Sequence, residues 1–334
     1  MESHIYNLSK EQIQEGNDVT LMFNAGEKVT SNDIKISNFP LYRIKPQFIG
    51  VFIFYLLVLR VLYINKERFE IVHLHGDWSS ALFHSILKKI TGARKVCLSI
   101  HDELSKSYIK QKLMVYFLRN ISIVFCTGYS TFEFMQKNFY GTSVFQPSGI
   151  KPIFLEDRKR TFNNRFQILT VANLVPKKNI SFLLEIAKKL PDYKFVLIGE
   201  GPCRKKIKQL ITNYALENFF LLGEKNSEEI NDICYESDVF LNVSLKEGTP
   251  TAILEAVATG LPIVSSNAGG IDKVLGSKNL IFKDFSITGY VNALRELSHN
   301  IELRREISMT NLKFSKKFNW KTVANSISSD MSKY

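Results

Sequence analysis

Two carboxylates with seven residues between them, Glu247 and Glu255, and a pair of adjacent cations, Lys177 and Lys178, are the residues best placed to do chemistry. Between the acids runs Gly248-Thr-Pro-Thr251, which has the composition of a helix start. A helix start gathers unpaired N–H groups and the positive end of the backbone dipole, so it attracts an anion. A carboxylate beside a bound phosphate would be repelled by it and takes a hydroxyl or an amine instead. Acceptors on either side of an anion site therefore point to a phosphorylated polyol such as a sugar phosphate. By spacing alone a surface-loop acid and a helix-face acid are the commoner reading. The elements around them reverse that preference.

Residues 239–244 form a short apolar run rich in β formers, and 262–266 form a second. Both read as buried strands. One short helix fits between them. Thr249 is placed to cap it, and Pro250 suits the first helical position, where a missing N–H costs nothing. Gly260 belongs at a left-handed helix end, and Pro262 prevents continuation. The N–H groups of Thr251, Ala252 and Ile253 are then left at the carboxyl end of a strand. Glu255 lies one turn after Thr251 on the same face.

Glu247-Gly…Glu255-Ala…Gly260-Leu-Pro-Ile-Val…Ala-Gly-Gly-Ile resembles the donor-site signature of glycosyltransferase family 4. The resemblance implies an α/β protein of the GT-B fold, two Rossmann-like doubly wound domains facing across a cleft. It implies a retaining transferase whose nucleotide-diphosphate sugar is held by the second domain, with no metal and no cofactor. It places Glu247 on the hydroxyls of the donor sugar and Glu255 on the nucleotide ribose. Lys178 matches a lysine that reaches the donor diphosphate, and Asn173 stands where the family usually has an arginine. His101 matches a histidine beside the reacting sugar, where it would donate a hydrogen bond or stabilise developing charge.

Length and composition agree. A chain of 334 residues suits two domains of roughly 150 residues. Its 45% hydrophobic and 23% charged content is ordinary for a globular protein. Cys97, Cys126, Cys203 and Cys234 are scattered singly, which argues against a disulfide frame or zinc site and for a reducing, cytoplasmic compartment. The net charge of +12 points to nucleic acid, an anionic membrane face or an anionic substrate. With no nucleic-acid motif or aromatic–basic repeat, phosphate and a membrane surface are the preferred partners.

In chain order, residues 1–16 read as an amphipathic helix with Ile5, Leu8 and Ile13 inward, followed by a strand at 18–23. A doubly wound domain normally opens with a strand and a glycine-rich turn before its first helix. Glu2-Ser-His4 resembles the residues just after that turn in the family. The expectation is a domain whose first strand and loop are missing, either because the start lies upstream or because the product is trimmed, with reduced activity as the consequence. The apolar stretch 44–64 holds about 14 uncharged residues before Arg60, short of the roughly 20 a membrane span needs. It reads as a helix under the first domain, with a helix dipping into a cytoplasmic leaflet as the alternative.

Residues 70–77 and 93–102 are strands ending in histidine and aspartate, at the edge where open α/β sheets bind ligands. His75 and Asp77 are candidates for the acceptor side. A polar stretch at 156–164 reads as the interdomain linker, so the domains are expected at 1–155 and 165–318. The helix 319–334 resembles the family's terminal helix, which returns to the first domain. In the second domain, Gly199 and Gly201 follow a strand and would let backbone approach a ligand closely. Lys225 follows the next strand, in a turn that lies near the nucleotide base in the family.

The reading that results is transfer of a sugar to a glycan or lipid-linked acceptor, as in cell-envelope polysaccharide assembly. Lys178 and the helix at Thr251 would stabilise the leaving diphosphate, Gly248, Thr249 and Thr251 would line it, and domain closure would complete the site. Two rivals stay open, a sugar-nucleotide epimerase of the same fold and a non-catalytic partner subunit.

Overall fold

The structure, a computed structural model, describes residues 2–23, 34–39, 47–101, 107–156, 158, 160, 165–248, 250–275 and 278–333. Thr249 and Asp102 lie outside the described residues. The chain divides into two compact units, Met1–Gly149 with Trp320–Tyr334, and Ile150–Asn319. The division falls ahead of the polar stretch at 156–164.

In the first unit, β1 (Thr20–Phe23) and β2 (Lys35–Asn38) form a parallel pair. A separate parallel sheet runs β3 (Ile71–Gly76), β4 (Lys95–Ile100), β5 (Ile123–Cys126) and β6 (Thr142–Phe145) in chain order. Every residue of β5 is buried, the continuous apolar pattern of a parallel strand covered on both faces. On one face Val96, Leu98, Val124 and Cys126 pack with Tyr55, Val58 and Leu62 of the helix Gln47–Asn65. On the other, Cys97, Ile123 and Phe125 pack with Leu8 of the helix Glu2–Gln14 and with Trp320, Val323 and Ile327 of the helix Trp320–Lys333. A cavity of about 580 Å³ is lined by the helix Glu2–Gln14, β1, the helix Gln47–Asn65 and β3. Residues of both β1 and β3 line it.

The second unit holds β7 (Gln167–Val171), β8 (Lys194–Ile198), β9 (Phe219–Gly223), β10 (Val239–Asn242), β11 (Ile263–Ser266) and β12 (Leu280–Phe282). All are parallel, in the order β12-β11-β10-β7-β8-β9. From β7 the chain builds outward through β8 and β9, then crosses to β10 and builds the other way. β7 and β10 are thus neighbours whose following loops diverge, and such a switch point leaves a crevice at the strands' carboxyl ends.

Candidate functional site

The second unit places Lys178 and Glu247 at this switch point. Lys178 follows β7 on a short turn, Pro176–Lys178, and Glu247 lies in the loop after β10. The two loops are tied by a backbone bond from Leu245 N–H to the Lys177 carbonyl, 2.8 Å. Lys178 Nζ then donates to both oxygens of Glu247, at 2.7 and 2.9 Å. Glu247 is 8% exposed and Lys178 18%, so the pair is largely withdrawn from water.

A glycine makes this position possible. Gly269, after β11, has φ +70°, and a Cβ there would lie 2.3 Å from the Glu247 carbonyl oxygen. The Gly269-Gly270 pair thus lets the loop after β11 pack directly on the backbone that carries Glu247.

The helix between β10 and β11 spans Thr251–Ala258. Its first internal hydrogen bond runs from Leu254 N–H to the Pro250 carbonyl, 3.0 Å. Pro250 is therefore the cap residue and Thr251 the first helical one, a shift of one from the sequence reading. The φ and ψ of Pro250, −80° and 64°, are not helical. Gly260 has φ +74° and turns the chain at the helix end. Thr251 is exposed and Gly248 half-buried beside this start.

Glu255 sits on the same helix and is part-buried. Burial pushes its carboxyl up to about 7, with the Lys151 ammonium opposing the shift. An acid so placed gains most from ligand hydroxyls that replace the lost water. The far end of the helix is held by Arg160, a residue that sequence reasoning passed over. Its guanidinium donates to the Cys234 carbonyl at 2.9 Å and to the Thr259 carbonyl at 2.8 Å. It also bonds the Ser237 carbonyl. One cation thus satisfies the carbonyl ends of the helices Ser227–Glu236 and Thr251–Ala258, where a positive charge is favoured.

Gly199 and Gly201 approach protein, not open space. Their φ angles are +137° and +153°, and added Cβ atoms would lie 2.0 Å from the Ala172 carbonyl and 2.7 Å from that of Leu174. The loop after β8 is pressed onto the loop after β7, with Leu174 N–H donating to the Glu200 carbonyl at 2.8 Å. This packing fixes the segment carrying Asn173, whose own side chain is exposed. Lys225 pairs with Glu229 at 2.6 Å, beside the capping box of Asn226 and Glu229 that opens the helix Ser227–Glu236. Arg204, at the start of the helix Arg204–Asn213 that follows this loop, pairs with Glu200.

The first unit gathers a different cluster. His75 is the last residue but one of β3 and His101 follows β4, and Nδ1 of the first lies 3.2 Å from Nε2 of the second. His4, on the N-terminal helix, packs 4.7 Å from His101 and 5.1 Å from Trp320, centroid to centroid. Its Nδ1 is 2.8 Å from Ser148 Oγ. Gly149 next to it is flush against Trp320, where a Cβ would come within 2.5 Å of the indole. His73, one pleat before His75 on the same face, is 2.8 Å from Ser99 Oγ. Burial is the main cause lowering all four imidazoles, His4 to about 2, His73 to about 3, His101 to about 4 and His75 well below its usual value. They are neutral at ordinary pH. Asp77 has a local task, accepting from Ser79 N–H at 2.8 Å to cap the turn Trp78–Phe83. His4 and His73 were not legible as members because helix and strand patterns show only that they face inward.

The profile of glycosyl transferases group 1 matches residues 154–313, and that of glycosyltransferase family 4 matches residues 1–142. A human phosphatidylinositol N-acetylglucosaminyltransferase subunit is 29% identical over 320 residues, covering 89% of this chain and 65% of the relative. The corresponding gpi3 subunit of Schizosaccharomyces pombe is 26% identical, covering 83% and 65%. The chain thus spans just under two thirds of the length of these relatives. Sucrose-phosphate synthase from Thermosynechococcus elongatus superposes with a TM-score of 0.82 at 15% identity, covering 99% of this chain and 92% of that one. Anabaena HepE in complex with UDP and glucose gives 0.78 at 16%, covering 98% and 96%. At such identities the likeness establishes the fold, which is GT-B.

Proposed function

The chain belongs to glycosyltransferase family 4, and from that premise we propose that it is a retaining transferase moving a sugar from a nucleotide-diphosphate donor to a lipid-linked or glycan acceptor. The observation that carries this reading is the Lys178–Glu247 pair at the β7/β10 switch point, with Glu247 in the loop that leads into the helix Thr251–Ala258. Lys178 and the helix amides supply positive potential for a leaving diphosphate. Glu247, anchored by Lys178, offers its carboxylate to sugar hydroxyls, and Glu255 takes the ribose hydroxyls. To His101 we assign the hydrogen bond to the transferred sugar.

The relatives named above carry phosphatidylinositol and N-acetylglucosamine in their names, and HepE was crystallised with UDP and glucose. UDP-N-acetylglucosamine and phosphatidylinositol are accordingly the first donor and acceptor to try. Radiolabelled sugar should pass into the lipid fraction and be lost with Glu247→Gln. Label released as free sugar nucleotide of changed configuration, without any acceptor, would establish the epimerase instead. Both relatives are named as subunits, which favours a chain that works beside partner proteins. Transfer that appears only when such partners are added would fit that second reading.

A lipid acceptor needs a membrane-facing surface, and the first unit offers one. Ile49, Phe52, Leu56 and Tyr63 are exposed along one side of the helix Gln47–Asn65. Leu82 and Ile86 continue the exposed apolar set, as do Ile109, Leu113 and Tyr116 on the helix Tyr108–Leu118. Lys88, Lys89, Lys110, Lys112 and Arg119 are interspersed with them along the chain. Apolar side chains with interspersed cations suit an anionic bilayer interface. Among the described residues no helix is long and apolar enough to cross a membrane.

A further inference from the structure

We propose that His4, His75 and His101 form a three-histidine site for a divalent transition-metal ion, zinc being the ion that suits it best. One ring nitrogen from each lies within 4.8 Å of the other two. The His75–His101 separation of 3.2 Å is already that of two ligands on one ion, because donors ~2.05 Å from a tetrahedral zinc sit ~3.3 Å apart. The Nε2 of His4 is buried without a hydrogen-bond partner, and the residue is only 5% exposed. A buried polar atom left unpaired calls for an explanation, and an ion is one.

The remaining nitrogen of His4 is engaged as ligating histidines commonly are. Its Nδ1 lies 2.8 Å from Ser148 Oγ, which fixes the ring's orientation and leaves Nε2 for the ion. The three histidines come from three separate elements, the N-terminal helix, the end of β3 and the residue after β4. An ion there clamps the helix Glu2–Gln14 to the carboxyl edge of the sheet. Three neutral nitrogen ligands leave a fourth position open and the full ionic charge unneutralised, so the fourth ligand is an oxygen, from hydroxide or from an oxyanion. With the ion on Nε2 of His101, its Nδ1–H is left as a donor, and a stronger one because the ion withdraws electron density from the ring. This site stands on first-unit geometry alone and does not depend on the transferase reading.

The test uses the untagged full chain, stripped with chelator and titrated with cobalt(II) and zinc(II) alone. The expected result is one ion per chain and the visible bands of four-coordinate cobalt, without a thiolate charge-transfer band. His4→Gln and His75→Gln should each abolish those bands, and Ser148→Ala should weaken zinc by about 10-fold. Circular dichroism separates loss of the site from loss of fold, and the unaltered chain's cobalt spectrum needs no variant at all. Absent visible bands, a thiolate band assigning the ion to cysteine, or bands unchanged in folded His4→Gln protein would each overturn the proposal.

Discussion

Lys178 grips Glu247 through both carboxylate oxygens, at 2.7 and 2.9 Å, across the two loops that follow the neighbouring strands β7 and β10. A largely buried ion pair is a poor device for stability, since apolar residues of similar volume often do as well. Its placement at the switch point suggests chemistry as the reason for keeping it. Lys178→Ala should therefore destabilise by about 3 kcal/mol, because it strands a buried carboxylate. The double variant Lys178→Met, Glu247→Leu should recover most of that stability and none of the transfer. Denaturant melts alongside donor turnover measure both. Transfer retained by the double variant would contradict the functional assignment.

Glu255 gives the site a pH signature. Its carboxyl titrates near 7 in the folded protein, against the ordinary 4.5. The folded chain then binds the proton more tightly than the unfolded one, so this group makes stability fall as pH rises from about 4.5 to 7. The full effect is on the order of 3 kcal/mol. Glu255→Gln should flatten that slope. If the ionised carboxylate receives ribose hydroxyls, donor affinity should instead rise through pH 7 and lose that rise in the variant. Calorimetric binding from about pH 5.5 to 8.5 checks the sign.

Gly269 should resist replacement. A methyl group there meets the Glu247 carbonyl at 2.3 Å, from a backbone with φ +70°. Gly269→Ala is expected to cost about 2 kcal/mol or more, a fall in Tm of roughly 4–8 °C. It should also lower turnover by moving Glu247. Gly16→Ala is the control, because its φ of +90° carries similar strain while nothing lies within 4 Å of the added atom. Equal losses of turnover in both variants would remove the link to Glu247.

The sequence carried the second unit well because its signals are local. Gly260 and Pro262 mark a helix end, and the apolar runs on either side of that helix are continuous enough to name as strands. Other features depend on distance. Arg160 lies in a stretch whose polarity reads as solvent-exposed linker, yet its carbonyl partners are 74 to 99 residues away. β12 is three residues long, too short for a period to register. Gly199 and Gly201 read as room for a ligand, whereas the atoms pressing on them belong to residues 172–174. The histidine cluster is the extreme case, since His4 and His101 sit on elements that only the fold brings together.

The exposed apolar face of the helix Gln47–Asn65 should govern membrane association. Phe52→Ser with Leu56→Ser removes two side chains that are 53% and 48% exposed, so stability should change by less than about 1 kcal/mol. Sedimentation with vesicles containing phosphatidylinositol should fall several-fold, while turnover of a soluble acceptor analogue holds. Unchanged sedimentation would move the membrane contact elsewhere.

Hydrogen exchange of the full chain with and without UDP-N-acetylglucosamine tests the central claim most directly. The account predicts slowed exchange in the segments 173–179, 199–204 and 245–256, the backbone around Lys178, Glu247 and Glu255. Protection absent there, or confined to residues 2–149, would contradict it.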